Sequence, residues 1–413
     1  MPETGGTYYD RQEVRDPDER ESSIFNALPG LIRHALDNAP FFSELLAGVD
    51  PDTIVSREDL ARLPVIRKSQ LSAFQARSRP FGRINATTIS RLARIFASPG
   101  QVYDPEGART DYWRFARAMY AAGFRSGDIV HNCFSYHLTP TGAMAETGAR
   151  ALGLPVIPAG SGEIEVQLQA IADIRPTAYV GPPSFLDTLL RQGRQTGLDT
   201  SSFKKALIAM EPLTQPLRDL LREEYGIRAV QCYATSDLGL IAYESRAGVG
   251  LVVDEAVIVE IVRPGTGDPV DPGQVGEVLV TAFNPDYPLI RFATGDLSTV
   301  LTGPSPCGRT NMRIAACLGR ADECTNVGGM MIFPSQVDEL IRRHASVQRA
   351  QLVVARDEGH DAMRLLCEVA GDANGLEAGL VESVSAWTGL RTRIEFVAPG
   401  TLPSNGKLID DQR

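Results

Sequence analysis

Ile129-Val130-His131-Asn132-Cys133-Phe134 begins a series of short apolar runs that continues through Pro155–Pro158, Ala178–Val180, Ala206–Ile208 and Ala229–Tyr233. Amphipathic stretches near 142–152, 163–172, 184–195 and 214–225 separate them. Strand and helix in alternation read as βαβ units, which build a parallel sheet whose ligands sit at the carboxyl ends of its strands. The predicted fold class is therefore α/β.

Beyond this core the pattern changes. Between 250 and 302 it becomes mostly strand, with Val257–Val262 and Val275–Thr281 separated by turns containing Gly and Pro, so a smaller β-rich subdomain follows the sheet. After Arg320, Gln336–Arg343 and Leu376–Trp387 read as helices, and Gln351–Ala355, Leu365–Val369 and Arg393–Val397 as strands. Two helices on a small sheet make an α+β module of about 90 residues, within the size range of an independent domain. On the N-terminal side, apolar residues at helical spacing from Ile24 through Leu46, interrupted by Pro29 and Pro40, predict a small helical region. Residues 76–112 predict turns and short strands. No internal repeat or low-complexity segment is present.

Of 413 residues, 41 are Lys or Arg and 51 Asp or Glu, for a formal charge of −10. An acidic chain without a basic tail is a poor candidate for general nucleic-acid binding. No apolar run approaches the roughly 20 residues of a membrane span, and Met1-Pro2-Glu3-Thr4 begins no signal peptide, so a soluble, cytoplasmic protein is expected. The cysteines at 133, 232, 307, 317, 324 and 367 form no C-x-x-C pair, and the histidines at 34, 131, 137, 344 and 360 no metal-binding spacing. Reduced thiols are expected, and no metal held by side chains alone.

Four segments combine Gly, hydroxyl and acidic residues just after apolar runs. In Tyr233-Ala234-Thr235-Ser236-Asp237-Leu238-Gly239, two hydroxyls and a carboxylate at a strand's end suit a phosphate and its Mg²⁺, or equally a Ser-Asp helix cap. In Ile290-Arg291-Phe292-Ala293-Thr294-Gly295-Asp296, the aspartate beyond the glycine suits ribose hydroxyls, or an ordinary turn. Leu318-Gly319-Arg320-Ala321-Asp322-Glu323, followed by Asn326-Val327-Gly328-Gly329, suits a hinge at a domain boundary. In Leu402-Pro403-Ser404-Asn405-Gly406-Lys407, a lysine after a glycine turn suits a phosphoryl oxyanion, or a solvated tail.

In this order the four resemble the adenylate-forming superfamily, the acyl-CoA synthetases and their relatives, and most closely the phenylacetate–CoA ligase branch. The resemblance extends over nearly the whole chain. It takes in Tyr8–Tyr9, Asn38-Ala39-Pro40-Phe41-Phe42, Asp59-Leu60-Ala61-Arg62-Leu63-Pro64, Phe134-Ser135-Tyr136-His137-Leu138, Pro182-Pro183-Ser184-Phe185, Met210-Glu211-Pro212 and Pro306-Cys307-Gly308-Arg309-Thr310. It implies a large N-terminal body over 1–319 that combines parallel sheet and β-rich subdomain, a hinge at 320–322, and a small mobile α+β domain over 323–413. Ala209, Met210, Glu211 and Pro212 would lie along the adenine, Tyr233 near it, and Thr235 and Ser236 by the phosphates. Asp296 would take the ribose hydroxyls, with Arg320 beside it. Asp237 stands where the family usually has Glu, as a Mg²⁺ ligand together with the ATP phosphates. Asp322 would be the hinge and Lys407 the lysine of adenylation. Phe134, Tyr136, His137, Gly160, Ser161 and Ala234 would surround the acid, although core packing is the other role open to them.

The implied activity is ATP-dependent conversion of a carboxylic acid, aryl or arylacetic by the pocket's aromatics, to an acyl-adenylate and then to a CoA thioester. ATP, Mg²⁺ and CoA are the implied cofactors. A carrier protein or an amine as acceptor, and a non-catalytic nucleotide- or acyl-binding relative, are the alternatives. Relatives of this branch are often dimers, so a homodimer is among the implied assemblies. One departure matters. Where the family has the phosphate loop S-S-G-T-T-G-K-P, this chain reads Ala97-Ser98-Pro99-Gly100-Gln101-Val102-Tyr103-Asp104-Pro105. Ser98 and Gly100 remain, but the Thr pair and the lysine are gone, and each charge-assisted bond lost costs on the order of 1.5–3 kcal/mol. Arg291, Arg320, Lys407 and Mg²⁺ are then left to offset the ligands' negative charge.

Overall fold

The computed structural model describes residues 6–98, 101–327, 330–357, 360–369, 375–388, 392–403 and 407–413. Two compact units divide them. The first comprises Met1–Val262, Gly267–Thr294 and Thr299–Ala316, the second Arg263–Thr266, Gly295–Ser298 and Cys317–Arg413.

The first unit opens with α1 (Pro17–Asn38), which Asp16 caps by accepting from the amides of Asp18 and Glu19. Pro29 was expected to interrupt it and does not. The buried stripe of Ile24, Phe25, Leu28, Leu31, Ile32 and Ala35 runs past the proline, and its packing outweighs the about 3 kcal/mol that an interior proline costs. Pro40 does break the chain, at the first turn of α2 (Pro40–Leu45). Then come α3 (Arg57–Ala61), β1 (Ile66–Arg67), α4 (Lys68–Arg77) and the hairpin of β2 (Arg94–Ser98) with β3 (Val102–Glu106). Every residue of α5 (Phe115–Ala122) is buried.

The predicted alternation follows as β4 (Val130–Asn132), α6 (Thr141–Ala151), β5 (Val156–Pro158), α7 (Ile164–Ile174), β6 (Ala178–Gly181), α8 (Pro183–Thr196), β7 (Lys205–Ile208), α9 (Gln215–Glu223) and β8 (Arg228–Thr235). Strands β5, β4, β6, β7 and β8 pair in parallel in that spatial order. They are short and mostly buried, as parallel strands covered by helices are. Antiparallel strands β9 (Gly239–Glu244) and β10 (Leu251–Val253) extend this sheet, while β11 (Val257–Val262), β12 (Gly276–Ala282) and β13 (Leu289–Ser298) form a second sheet with β1. Strands β14 (Val300–Leu301) and β15 (Arg313–Ile314) complete the first, giving nine strands among the described residues.

The second unit is α+β. It holds β16 (Thr325–Val327), β17 (Met330–Ile332), α10 (Pro334–Arg343), β18 (Val347–Asp357), β19 (His360–Val369), α11 (Leu376–Thr388), β20 (Thr392–Val397) and β21 (Ile409–Asp411). Strands β18 and β19 pair antiparallel, and β20 and β21 flank them in parallel. Its own core includes Val337, Leu340, Leu352, Leu365, Leu380 and Val384. Among the described residues no helix is long and apolar enough to cross a membrane.

Candidate active site

Ile208 at the end of β7 pairs with Gln231 of β8, so Ala209–Pro212 leave the sheet at its carboxyl edge beside Tyr233, which stays in β8. Met210 is held at a φ of 74° and is 68% exposed, an apolar side chain in a strained, solvent-facing backbone. Such strain persists where the surroundings impose it and clusters at ligand sites. Glu211 accepts from the Ser184 hydroxyl at 2.9 Å. Tyr233 donates to the Thr294 hydroxyl at 3.1 Å. A register shift between Tyr233 and Ala234 re-aims the end of β8, as bulges beside active sites do. Thr235-Ser236-Asp237 then turns directly into β9, with Thr235 paired to Gly239. No helix follows, so the helix-cap reading does not apply; the Thr235 hydroxyl instead accepts from the Leu238 amide at 3.2 Å.

Asp237 is buried, and its Oδ2 accepts from Lys68 Nζ at 2.6 Å. Lys68 escaped the sequence reading, although a lysine opening a helix whose first turn has no acidic residue stands against the helix dipole and so marks another attachment. Asp104 escaped it too. It lies on β3, where Ser98 donates to its Oδ2, and burial, then the Asp237 charge, push its carboxyl up to about 8. Ser98 pairs with Val102 across the hairpin; Pro99 and Gly100 lie outside the described residues. Oδ1 of Asp104 and Oδ1 of Asp237 are buried without a hydrogen-bond partner. Two bare carboxylate oxygens fit a hard divalent cation that takes its other ligands from substrate phosphates. No cluster of three or more His, Cys, Asp or Glu exists among the described residues, so the protein alone does not close such a site.

Asn132, buried in β4, organises the expected acid pocket. Its side-chain amide donates to Tyr136 Oη at 2.7 Å and to the Gly142 carbonyl at 2.8 Å, and its backbone carbonyl accepts from the Gly160 amide at 3.0 Å. Tyr136 and Gly160 are thereby brought together, and burial, then the Glu146 charge, raise the Tyr136 hydroxyl. Phe134 is 2% exposed and packs in one cluster with Ala209, with Ala234 at its edge. His137 and Ser161 are exposed. Asn132 was not singled out, though a polar residue within an apolar run was its signal.

In the second unit, Asp296 and Arg320 form a β-bridge, and Arg320 donates to Asp296 at 2.7 Å and to Asp322 at 3.3 Å. Gly295 has a φ of 79°, and a Cβ there would meet the Arg320 guanidinium at 2.6 Å, so the glycine admits the arginine. Lys407 donates to Asp410 at 2.9 Å. Arg291 corrects the expectation placed on it. It is 1% exposed and spends its guanidinium on Glu260 and the carbonyls of Ala61, Leu63 and Gly267, so it braces the first unit and offers no charge to a ligand.

Residues 113–283 match the family model described as AMP-binding enzyme, and 329–413 the one described as AMP-binding enzyme C-terminal domain. The chain is 32% identical to the phenylacetate-coenzyme A ligase of Thermus thermophilus, with 83% of this chain and 80% of that one covered. It is 29% identical to the phenylacetate-coenzyme A ligase of Escherichia coli, with 97% and 96% covered. A crystal structure of a 2-hydroxyisobutyryl-CoA ligase in an open conformation, bound to 2-HIB-AMP and CoA, superposes with a TM-score of 0.88 at 24% identity, with 100% of this chain and 96% of that one covered, which establishes the likeness of fold.

Proposed function

The chain belongs to the phenylacetate–coenzyme A ligase family of AMP-binding enzymes, and from that premise we propose that it activates a carboxylic acid with ATP and passes the acyl group to CoA. The observation that carries the site assignment is the convergence of Ala209–Pro212, Tyr233 and the Thr235–Asp237 turn at one sheet edge, with Lys68 on Asp237. In the first half-reaction an acid oxygen attacks the α-phosphorus, the bond to the pyrophosphate oxygen breaks, and acyl-adenylate and pyrophosphate result. The reactants are both anionic, so the barrier is one of charge and alignment. Lys68 supplies beside the altered loop a cation in place of the missing lysine, and Lys407 the one at the phosphoryl oxygens. Asp104 and Asp237 would hold Mg²⁺, which when bound screens phosphate charge. Asp296 takes the ribose hydroxyls, positioned by Arg320. In the second half-reaction the CoA sulfur attacks the adenylate carbonyl, its proton is lost, and AMP leaves.

Phe134, Tyr136 and Tyr233 favour an aryl or arylacetic acid. ATP and CoA are both found in the cytoplasm, the compartment this reading implies. The altered 97–105 segment, which lacks the Thr pair and the lysine, favours one other reading, a nucleotide-binding relative without turnover. Pyrophosphate release measured over a panel of carboxylic acids decides between them. We expect a strong response to a small group of aromatic acids. A flat response to every acid, with ATP binding retained in a calorimeter, overturns the ligase reading.

A further inference from the structure

In the second unit, the segment 402–407 that carries Lys407 towards β21 is held at both ends by side chains of the β18–β19 pair. Arg349 on β18 stands opposite Glu368 on β19, and Gln351, two residues on, shares the face of Arg349. A register shift between Val347 and Arg349 precedes them, the kind of bulge that re-aims side chains beside active sites. At the entry, the buried Glu368 carboxylate accepts from the Leu402 amide at 2.7 Å. Arg349 donates to the Leu402 carbonyl at 3.0 Å and to the Pro403 carbonyl, and pairs with Glu368 at 3.6 Å. At the exit, the buried Gln351 amide donates to the backbone carbonyl of Lys407 itself at 2.9 Å. Residues 404–406 lie outside the described residues. The Leu402 amide first, then the Gly400 amide and the Arg349 charge, hold the Glu368 carboxyl below its usual range against the opposing effect of burial.

None of these bonds belongs to the strand ladder. Three long side chains give up rotamer freedom to backbone groups of a connection whose Thr401, Pro403 and Lys407 are exposed. A solvated connection needs no such hold, whereas a lysine that has to meet a phosphoryl oxygen does. Its backbone must be fixed, because a misplacement of about 1 Å costs on the order of a hundredfold in rate. We propose that Glu368, Arg349 and Gln351 are positioning residues for the adenylation half-reaction, acting through Lys407 by clamping both ends of the segment that presents it. The assignment rests on the reading of Lys407 as the lysine of adenylation.

The test uses two full-length variants, Glu368→Gln at the entry and Gln351→Leu at the exit, each made with and without Lys407→Ala. With Lys407 present, each lowers kcat for acid-dependent ATP–pyrophosphate exchange by about ten- to a hundredfold and leaves the KM for ATP within about twofold. That split marks a group that acts only in the transition state. Thioester formation from a supplied acyl-adenylate continues at close to the wild-type rate and shows that the variants are folded. On the Lys407→Ala background neither substitution lowers the residual exchange further, because a residue that acts through the lysine has nothing left to place. Where Glu368→Gln fails to fold, Gln351→Leu decides alone. Losses that multiply on the Lys407→Ala background, a kcat unchanged by the substitutions, or equal loss of both half-reactions overturns the proposal. Exchange at the wild-type rate in Lys407→Ala itself sinks instead the reading of the lysine, and the clamp's role falls with it.

Discussion

On β3, within the hairpin that stands where the usual phosphate loop would be, burial and then the Asp237 charge push the Asp104 carboxyl up to about 8. Its carboxyl is raised above the unfolded value, so the stabilisation it gives is complete below about pH 4 and is lost as pH rises through about 8. Asp104→Asn mimics the protonated form and can still accept from Ser98. Thermal melts from pH 5 to 8 should therefore show the wild type losing stability relative to the variant as pH rises. Parallel curves would mean that Asp104 is ionised throughout. The same substitution removes one oxygen from the pair that fits a cation, so it should also raise the Mg²⁺ concentration needed for half-maximal pyrophosphate release. Neither effect was legible in the sequence. Asp104 and Lys68 are each one charged letter in an unremarkable segment, and only the fold puts them beside Asp237, 133 and 169 positions away.

The turn between β8 and β9 is the element on which the site depends most. Gly239 has a φ of 73°, and a Cβ there would stand 2.9 Å from the Trp113 carbonyl oxygen. Gly239→Ala combines a left-handed backbone cost with a clash against backbone, about 2–4 kcal/mol in all. Urea denaturation should show a midpoint lowered with little change in slope; a midpoint within error of the wild type would mean that the turn relaxes freely. At this scale much of the fold could be read directly. The strands β4 to β8 stand where short apolar runs alternate with amphipathic ones, because parallel strands buried by helices must be apolar throughout. Helix α5 escaped because it is buried on every side, which erases the 3.6-residue contrast that marks a helix. Strand β21 escaped because three residues carry no periodicity, and its parallel pairing with β18 is a long-range choice. The resemblance fixed the motif order, but it carried no information about where an altered loop finds its replacement charge.

Over the whole molecule, a charge of −10 has to accommodate ligands that are themselves strongly anionic, so the distribution of the few uncommitted cations decides function more than the total. Arg291 is removed from that set by its buried bonds to Glu260, and Arg320 is shared between Asp296 and Asp322. Lys407 differs from both. It pairs with Asp410, three residues away on an exposed surface where solvent screens the pair, so the ammonium can pass from that carboxylate to a phosphoryl oxygen. Removing it should therefore leave the fold intact and strike the chemistry alone. Lys407→Ala is expected to melt within a few degrees of the wild type and to lose acid-dependent pyrophosphate release by at least about a hundredfold, the loss typical of one electrostatic stabiliser of a transition state. Thioester formation from a supplied acyl-adenylate contains no phosphoryl transfer, and should continue at close to the wild-type rate. Equal loss of both half-reactions would show that Lys407 holds structure rather than charge, and equal survival of both would leave the adenylation step to Lys68 in the first unit.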